Sequence, residues 1–256
     1  MFRNAIVRPP ASNFAQGLTS VDLGPPVFAR AFEQHAAYCA ALEACGLSLI
    51  RLPSDERYPD STFVEDTAVI TSRCAVVTRP GAPSRRDEVE AISFSLAPFY
   101  PVRQSIMEPG TVDGGDVCEA GNHFFIGISE RTNEAGAQQL GQILSDAGHT
   151  ATCVDVRGVE GVLHLKSGLA CLKEDQLVVI HALAQRAEFR GYNLILVSNE
   201  EAYAANCVQV NDCVLVAAGF PLLEQRLREL GHQTIALEMS EFQKMDGGLS
   251  CLSLRF

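Results

Sequence analysis

Short apolar runs separated by tight polar turns recur along the chain at a near-constant interval. Glu65–Ile70, the turn Thr71-Ser72-Arg73 and Cys74–Val77 read as a hairpin, followed by a helical stretch from Ser84. The plan returns in Gly115–Cys118, turn Gly121-Asn122-His123, Phe124–Gly127 and a helix from Thr132. It returns again in Gly168–Leu172, turn Lys173-Glu174-Asp175 and Gln176–Ile180. A fourth copy is Asn206–Val210, turn Asn211-Asp212, Cys213–Val216 and a helix from Pro221. Helical spacing of apolar residues predicts one face with Phe28, Phe32, Ala36, Cys39 and Leu42, a second with Leu140, Ile143, Leu144 and Ala147, and a third with Leu223, Leu227 and Leu230. These helices stop at Gly46, Gly148 and Gly231, where a left-handed cap suits glycine. Strand-like runs follow each: Leu47–Leu52, Thr150–Val156 and Gln233–Leu237.

Both termini carry the parts of one more unit. Asn4–Arg8 and the helix around Phe28–Cys45 lie at one end, and a strand in Gly248–Leu254 at the other. Self-similarity at this period marks stacked or circular arrays, and a unit shared between the termini closes a ring. The expected fold class is α/β, a five-bladed α/β-propeller of ββαβ units in a single domain over residues 1–256. An ordinary α+β sheet with hairpins is the alternative. Asp66 and Asp116 stand 50 positions apart, and five units in 256 residues give about 51 each.

Composition narrows the functional classes. With 20 basic against 31 acidic residues, the net charge of −11 has the wrong sign for a nucleic-acid partner. A hydrophobic fraction of 47% predicts an ordered chain. The longest apolar candidate, Cys213–Leu223, is broken by Gly219 and Pro221 and is too short to span a bilayer, so no membrane partner is expected. The N-terminus has no signal-like core, so a cytoplasmic protein is expected. Nine cysteines without a C-x-x-C pair predict reduced, mostly buried thiols.

No G-x-G-x-x-G, Walker loop, H-E-x-x-H or G-x-S-x-G is present. Instead, Met245-Asp246-Gly247-Gly248-Leu249-Ser250-Cys251 sets a cysteine after a flexible diglycine that can expose its thiol. His164, between Leu163 and Leu165, is a candidate partner, although such a histidine taken alone reads as core. Asp60, Glu65 and Asp66 form one acidic cluster, and Asp113 with Asp116 a second, each leading into an apolar strand. A solvated turn explains either cluster alone. Together they predict an anionic pocket whose natural guest is a planar guanidinium. Arg85 and Arg131, at expected helix starts, suit a carboxylate at the other end of the same guest.

These segments resemble the dimethylarginine dimethylaminohydrolases, guanidine-modifying enzymes of the pentein superfamily. The resemblance is carried by Gly17-Leu18-Thr19-Ser20, Asp60–Asp66, Arg79-Pro80-Gly81 with Ser84-Arg85-Arg86, Asp113-Gly114-Gly115-Asp116, Arg131-Thr132-Asn133, Leu163-His164-Leu165-Lys166, Ala204–Cys207 and Asp246–Cys251. It implies a five-bladed α/β-propeller with Cys251 as nucleophile, His164 as general acid/base and Asp113 as the carboxylate orienting it. It further implies guanidinium contacts from Asp60, Glu65 and Asp66, a lid residue at Leu18, grips on the amino-acid end from Arg85 and Arg131, and a backbone contact at Met245. The implied reaction is hydrolysis of asymmetric dimethylarginine or monomethylarginine to citrulline and an amine. No cofactor is required, and zinc at Cys251 would inhibit. The small-molecule substrate is the only expected partner apart from a second copy, the protein being a monomer or homodimer. Arginine deiminase-like or amidinotransferase-like chemistry is the enzymatic alternative, and a noncatalytic pentein-ring binding protein the non-enzymatic one.

Overall fold

The computed structural model describes all 256 residues. In chain order the strands and α-helices are β1 (Asn4–Val7), α1 (Phe28–Ala44), β2 (Ser48–Arg51), β3 (Ala68–Ile70), β4 (Ala75–Val77), α2 (Val89–Leu96), β5 (Gln104–Ser105), β6 (Val117–Ala120), β7 (His123–Ile128), α3 (Glu134–Asp146) and β8 (Thr150–Asp155). They continue as β9 (Leu169–Leu172), β10 (Gln176–Ile180), β11 (Asn193–Val197), β12 (Val208–Val210), β13 (Cys213–Ala217), α4 (Pro221–Glu229), β14 (Gln233–Leu237), α5 (Ser240–Gln243) and β15 (Leu254–Arg255).

The strands form five separate three-stranded sheets. In each, the middle strand pairs antiparallel with one neighbour and parallel with the other, as β7 does with β6 and β8. In four of the sheets the parallel pair is joined through an α-helix, the βαβ connection that a parallel pair needs. Between β10 and β11 the chain makes only a 3-10 turn, Ala187–Phe189. The expected unit shared by the termini is the sheet β15-β1-β2, where Ala5 pairs with Arg255 and Leu49.

The chain divides into two compact units. Residues 1–65 and 207–256 contain the sheets β15-β1-β2 and β12-β13-β14. Here Phe14, Phe63 and Phe242 pack ring against ring, with centroids 5.6 to 6.3 Å apart. Residues 66–206 contain the other three sheets. Their core includes Val76, Phe124, Ile126, Leu140 and Leu144, from β4, β7 and α3. No helix is long and apolar enough to cross a membrane.

Several local expectations change. The buried face of α1 is Ala31, Gln34, His35, Tyr38, Cys39, Ala41 and Leu42. Phe28 and Phe32 are instead 41% and 50% exposed and meet each other on the outside. The stripe 31, 35, 38, 42 follows the helical period as well as the apolar one does, and the Tyr38 hydroxyl is satisfied by Ser253 Oγ at 2.7 Å. Only Cys39, Cys118 and Cys207 among the nine free cysteines are buried, fewer than expected: Cys153 and Cys171 stand on the outer strands β8 and β9, Cys45 just past α1, Cys74 in the turn before β4, Cys213 at the start of β13 and Cys251 in a 3-10 turn. The C-terminal strand is shorter than expected, since Ser250–Leu252 is a 3-10 turn.

That last difference is general. A 3-10 turn stands at the entry to the outer antiparallel strand of every sheet: Val64–Thr67, Gly114–Asp116, Leu165–Ser167, Asn199–Ala205 and Ser250–Leu252. These tight turns, three residues per repeat, have apolar strands after them and polar residues on or just before them. Glu65, Asp66, Asp113, His164 and Cys251 all sit there, at one equivalent place in four of the five units.

Candidate active site

In the unit containing residues 66–206, three candidate residues converge. Asp66, Asp113 and His164 each offer a ligand-type atom within 4.8 Å of the others. Asp113, fully buried, accepts from the backbone N–H of Gly81 at 2.8 Å with one carboxylate oxygen and bonds His164 Nε2 at 3.0 Å with the other. One carboxylate therefore fixes the ring's orientation and is itself fixed. Gly115 closes the arrangement. Its N–H donates to Asp66 Oδ1 at 3.0 Å, and a Cβ there would stand 3.0 Å from the His164 ring. Gly115→Ala should displace the imidazole and lower kcat about a hundredfold, as a misplacement near 1 Å does. Steady-state kinetics beside a melting curve check this; an unchanged kcat with a native melt would contradict it.

The backbone after His164 is held as firmly. Leu165 N–H donates to Asp116 Oδ1 at 2.9 Å, Ser129 Oγ donates to Asp116 Oδ2 at 2.6 Å, and Asn206 Nδ2 donates to the Lys166 carbonyl at 2.8 Å. Ser129 Oγ in turn accepts from the N–H groups of Arg131 and Thr132. Asp116, assigned no role by the resemblance, thus joins the His164 segment to the loop that presents Arg131.

The two arginines differ. Arg131 lies in the loop before α3, not in its first turn, because Asn133 is the N-cap and accepts from Gly136 N–H. It is half-buried and its guanidinium makes no hydrogen bond or ion pair with the protein. Arg85, expected at the amino-acid end of the guest, is 5% exposed and enclosed by two carboxylates. It donates to Asp66 Oδ2 at 2.5 Å and, from Nε and a terminal nitrogen, to Glu88 at 2.8 to 3.2 Å. Glu88, not singled out in the sequence, was detectable only as an acid three positions from Arg85 in Pro83–Glu88, a 3-10 turn.

Charge follows from these contacts. Burial alone would raise the Asp66 carboxyl, but His164 and Arg85 hold it down to about 2. Burial pushes Asp116 up to about 6 despite His164 and Ser129. For His164 burial opposes the charged ring, yet Asp66, the hydrogen bond that the ring donates to Asp113, and Asp116 outweigh it and raise the pKa from 6.5 to about 9. The folded value lies above the unfolded one, so the stability gained from this proton is complete below 6.5 and is lost as pH rises through about 9. An NMR titration of His164 should show the protonated ring through neutral pH; a midpoint at its ordinary value would contradict the carboxylate cage.

The unit containing residues 1–65 and 207–256 carries the other candidates. Asp60, 5% exposed, accepts the Leu18 N–H on both oxygens at 3.1 Å. Gly17 permits this approach, because a Cβ there would collide with the Asp60 carboxylate and press on Met245 Cε. Met245 is buried and Leu18 is 42% exposed. Glu65 accepts from Ser250 Oγ at 2.6 Å and pairs with Arg255 at 3.5 Å, so it steadies the turn that presents Cys251. Cys251 is half-buried, with Gly248 N–H pointing to its Sγ at 3.4 Å. The diglycine before it is not the flexible hinge expected. Gly247 lies against the Phe63 ring, where any Cβ would clash, so its lack of a side chain serves close packing.

The arginine deiminase family model matches residues 56–198. The N(G),N(G)-dimethylarginine dimethylaminohydrolase of Pseudomonas aeruginosa is 47% identical over 100% of both chains. The chain belongs to the N(G),N(G)-dimethylarginine dimethylaminohydrolase family. The Streptomyces coelicolor member is 34% identical over 99% of this chain and 96% of its own. The solved structure of the Pseudomonas aeruginosa dimethylarginine dimethylaminohydrolase, a cysteine-to-serine mutant complexed with citrulline, superposes with a TM-score of 0.97 at 46% identity over 100% of both chains. The fold is accordingly the five-bladed α/β-propeller of the penteins, as the hairpin repeat predicts, and the chain is a hydrolase.

Proposed function

We propose that this protein hydrolyses N-omega-methylated arginines to citrulline and dimethylamine or methylamine. The observation that carries the reading is the His164 environment, a histidine kept protonated by Asp66, Asp113 and Asp116 and so equipped to give a proton to a departing amine. The family's relatives carry the name of this activity, and one is complexed with citrulline.

The Cys251 thiolate attacks the guanidinium carbon of the substrate, forming a C–S bond and a tetrahedral intermediate. His164 protonates the dimethylamine nitrogen, the C–N bond breaks, and a thiouronium adduct remains on Cys251. The neutral His164 then takes a proton from water as it attacks the same carbon. Collapse breaks the C–S bond, expels the thiolate and releases the hydroxyl proton to solvent, leaving the ureido group of citrulline. Asp113 orients His164, while Asp60, Glu65 and Asp66 supply the negative surroundings that fix the cationic guanidinium. Their chief contribution is positioning, because stabilising the ground-state cation alone would not speed attack. Arg131, with a free guanidinium, takes the substrate carboxylate. Arg85, whose guanidinium also holds Asp66 and Glu88, shares the amino-acid end with it. Leu18 and Met245 hold the amino-acid end.

This reading takes residues 1–256 as one catalytic domain, needs no cofactor, and places the protein in the cytoplasm as a monomer or homodimer. Zinc reaching Cys251 or the Asp113–His164 pair would compete with the substrate and inhibit. Arginine deiminase-like chemistry differs in releasing ammonia from arginine. Acid quenching during turnover, followed by peptide mass spectrometry, tests the covalent step. The adduct belongs on the peptide containing Cys251; turnover with that peptide unmodified at every quench time would refute the step.

A further inference from the structure

Three consecutive lid residues are tied down, and only the first tie, Leu18 on Asp60, has been given a role. Thr19 Oγ1 donates to the Lys244 carbonyl at 3.0 Å. Ser20 donates to Asp246 twice over, its backbone N–H to Oδ2 at 2.5 Å and its hydroxyl to both oxygens at 3.0 and 3.2 Å. Asp246 makes these bonds from a φ of +55°, the left-handed region that favours glycine. A side chain kept at such a position, when it makes a specific long-range contact, marks a constraint beyond turn chemistry. In the same stretch Gly247 and Gly248 carry no side chain, yet the left-handed residue is the aspartate before them.

The positions are informative. Lys244 and Asp246 bracket Met245, and Thr19 and Ser20 directly follow Leu18. The two ties therefore set the distance between the backbones of Leu18 and Met245, with Gly17 already packed on Met245 Cε. They also join the lid to the segment that runs through Gly247 and Gly248 to Cys251.

We propose that Asp246 is a positioning residue, latching the lid through Ser20 so that Leu18 and Met245 form the two walls that hold the amino-acid end of a methylated arginine. The proposal rests on the reading of Leu18 and Met245 given above. Energy gained from the non-reacting end of a substrate depends on such walls, so loosening them weakens substrate capture and speeds product departure while leaving the reacting groups in place.

Asp246→Gly separates this role from a merely structural one. It removes the latch and also relieves the left-handed backbone, so the melting temperature should hold or rise. KM for asymmetric dimethylarginine should increase about tenfold, the value of one charge-assisted hydrogen bond, with kcat unchanged or higher. Asp246→Asn keeps an acceptor oxygen for the Ser20 N–H and tolerates the left-handed region, so it should restore most of the KM. The inhibition constant of N-butyl-N′,N′-dimethylguanidine, which lacks the amino-acid end, should not respond to either change. Unchanged KM in the glycine variant would overturn the proposal. So would an equal loss of affinity for both compounds, or a fall in melting temperature that tracks the loss of activity. Failure of the functional reading itself looks different: the unaltered protein would release no dimethylamine.

Discussion

Cys251→Ala removes turnover of asymmetric dimethylarginine by on the order of 10⁴-fold or more, while the substrate still binds. The thiol contributes the bond-forming atom, which no neighbouring side chain can replace. At least about 5 kcal/mol of transition-state stabilisation is therefore at stake. The turn that presents it is held from elsewhere, by Glu65 on Ser250 and by the packing of Gly247 on Phe63, so the alanine variant keeps its fold. Calorimetric titration with the substrate should give binding close to that of the unaltered protein, alongside no citrulline. Citrulline formed at an undiminished rate by the alanine variant would remove Cys251 from the mechanism.

Arg85→Met strikes stability first. The guanidinium lies between Asp66 and Glu88, with side-chain exposures of 6%, 5% and 1%. Removing it leaves two carboxylates facing each other out of reach of water, a loss of about 3 to 5 kcal/mol. At this chain length that lowers the melting temperature by roughly 10 °C. Asp66 also loses a main reason for its depressed pKa, so the variant should be still less stable near neutral pH than in mild acid, where a protonated Asp66 needs no cation. Arg85→Lys retains the charge but cannot reproduce the two-nitrogen grip on Glu88, and falls between the two. A melting temperature left intact in Arg85→Met would contradict this.

Much of this molecule could be read from its sequence, and the exceptions share a cause. The hairpin repeat was legible because alternating apolar strands and polar turns are local, and so were the glycine stops of α1, α3 and α4. The acids stood out because each cluster leads into an apolar strand, Cys251 because it follows a diglycine, and His164 as its candidate partner between two leucines. What escaped depends on partners distant in the chain or on short-range geometry. The 3-10 turns have no periodicity long enough to detect, so Glu65 and Ser250 read as strand residues. Phe28 and Phe32 satisfied the helical spacing yet face outward, because Tyr38 and His35 occupy the inner side. The enclosure of Arg85 by Asp66 and Glu88, which Arg131 lacks, leaves no mark in the sequence. Gly81 was part of a motif without a reason until its N–H was found on Asp113. Nothing in the sequence connected Ser20 with Asp246, 226 positions away.

The purified protein, in metal-free buffer near neutral pH, should be incubated separately with asymmetric dimethylarginine, monomethylarginine and arginine, and citrulline quantified together with the amine released. Equal amounts of citrulline and dimethylamine from the first substrate, and of citrulline and methylamine from the second, with little ammonia from arginine, is the predicted result. Ammonia from arginine as the principal product, or no citrulline from any of the three, would contradict it.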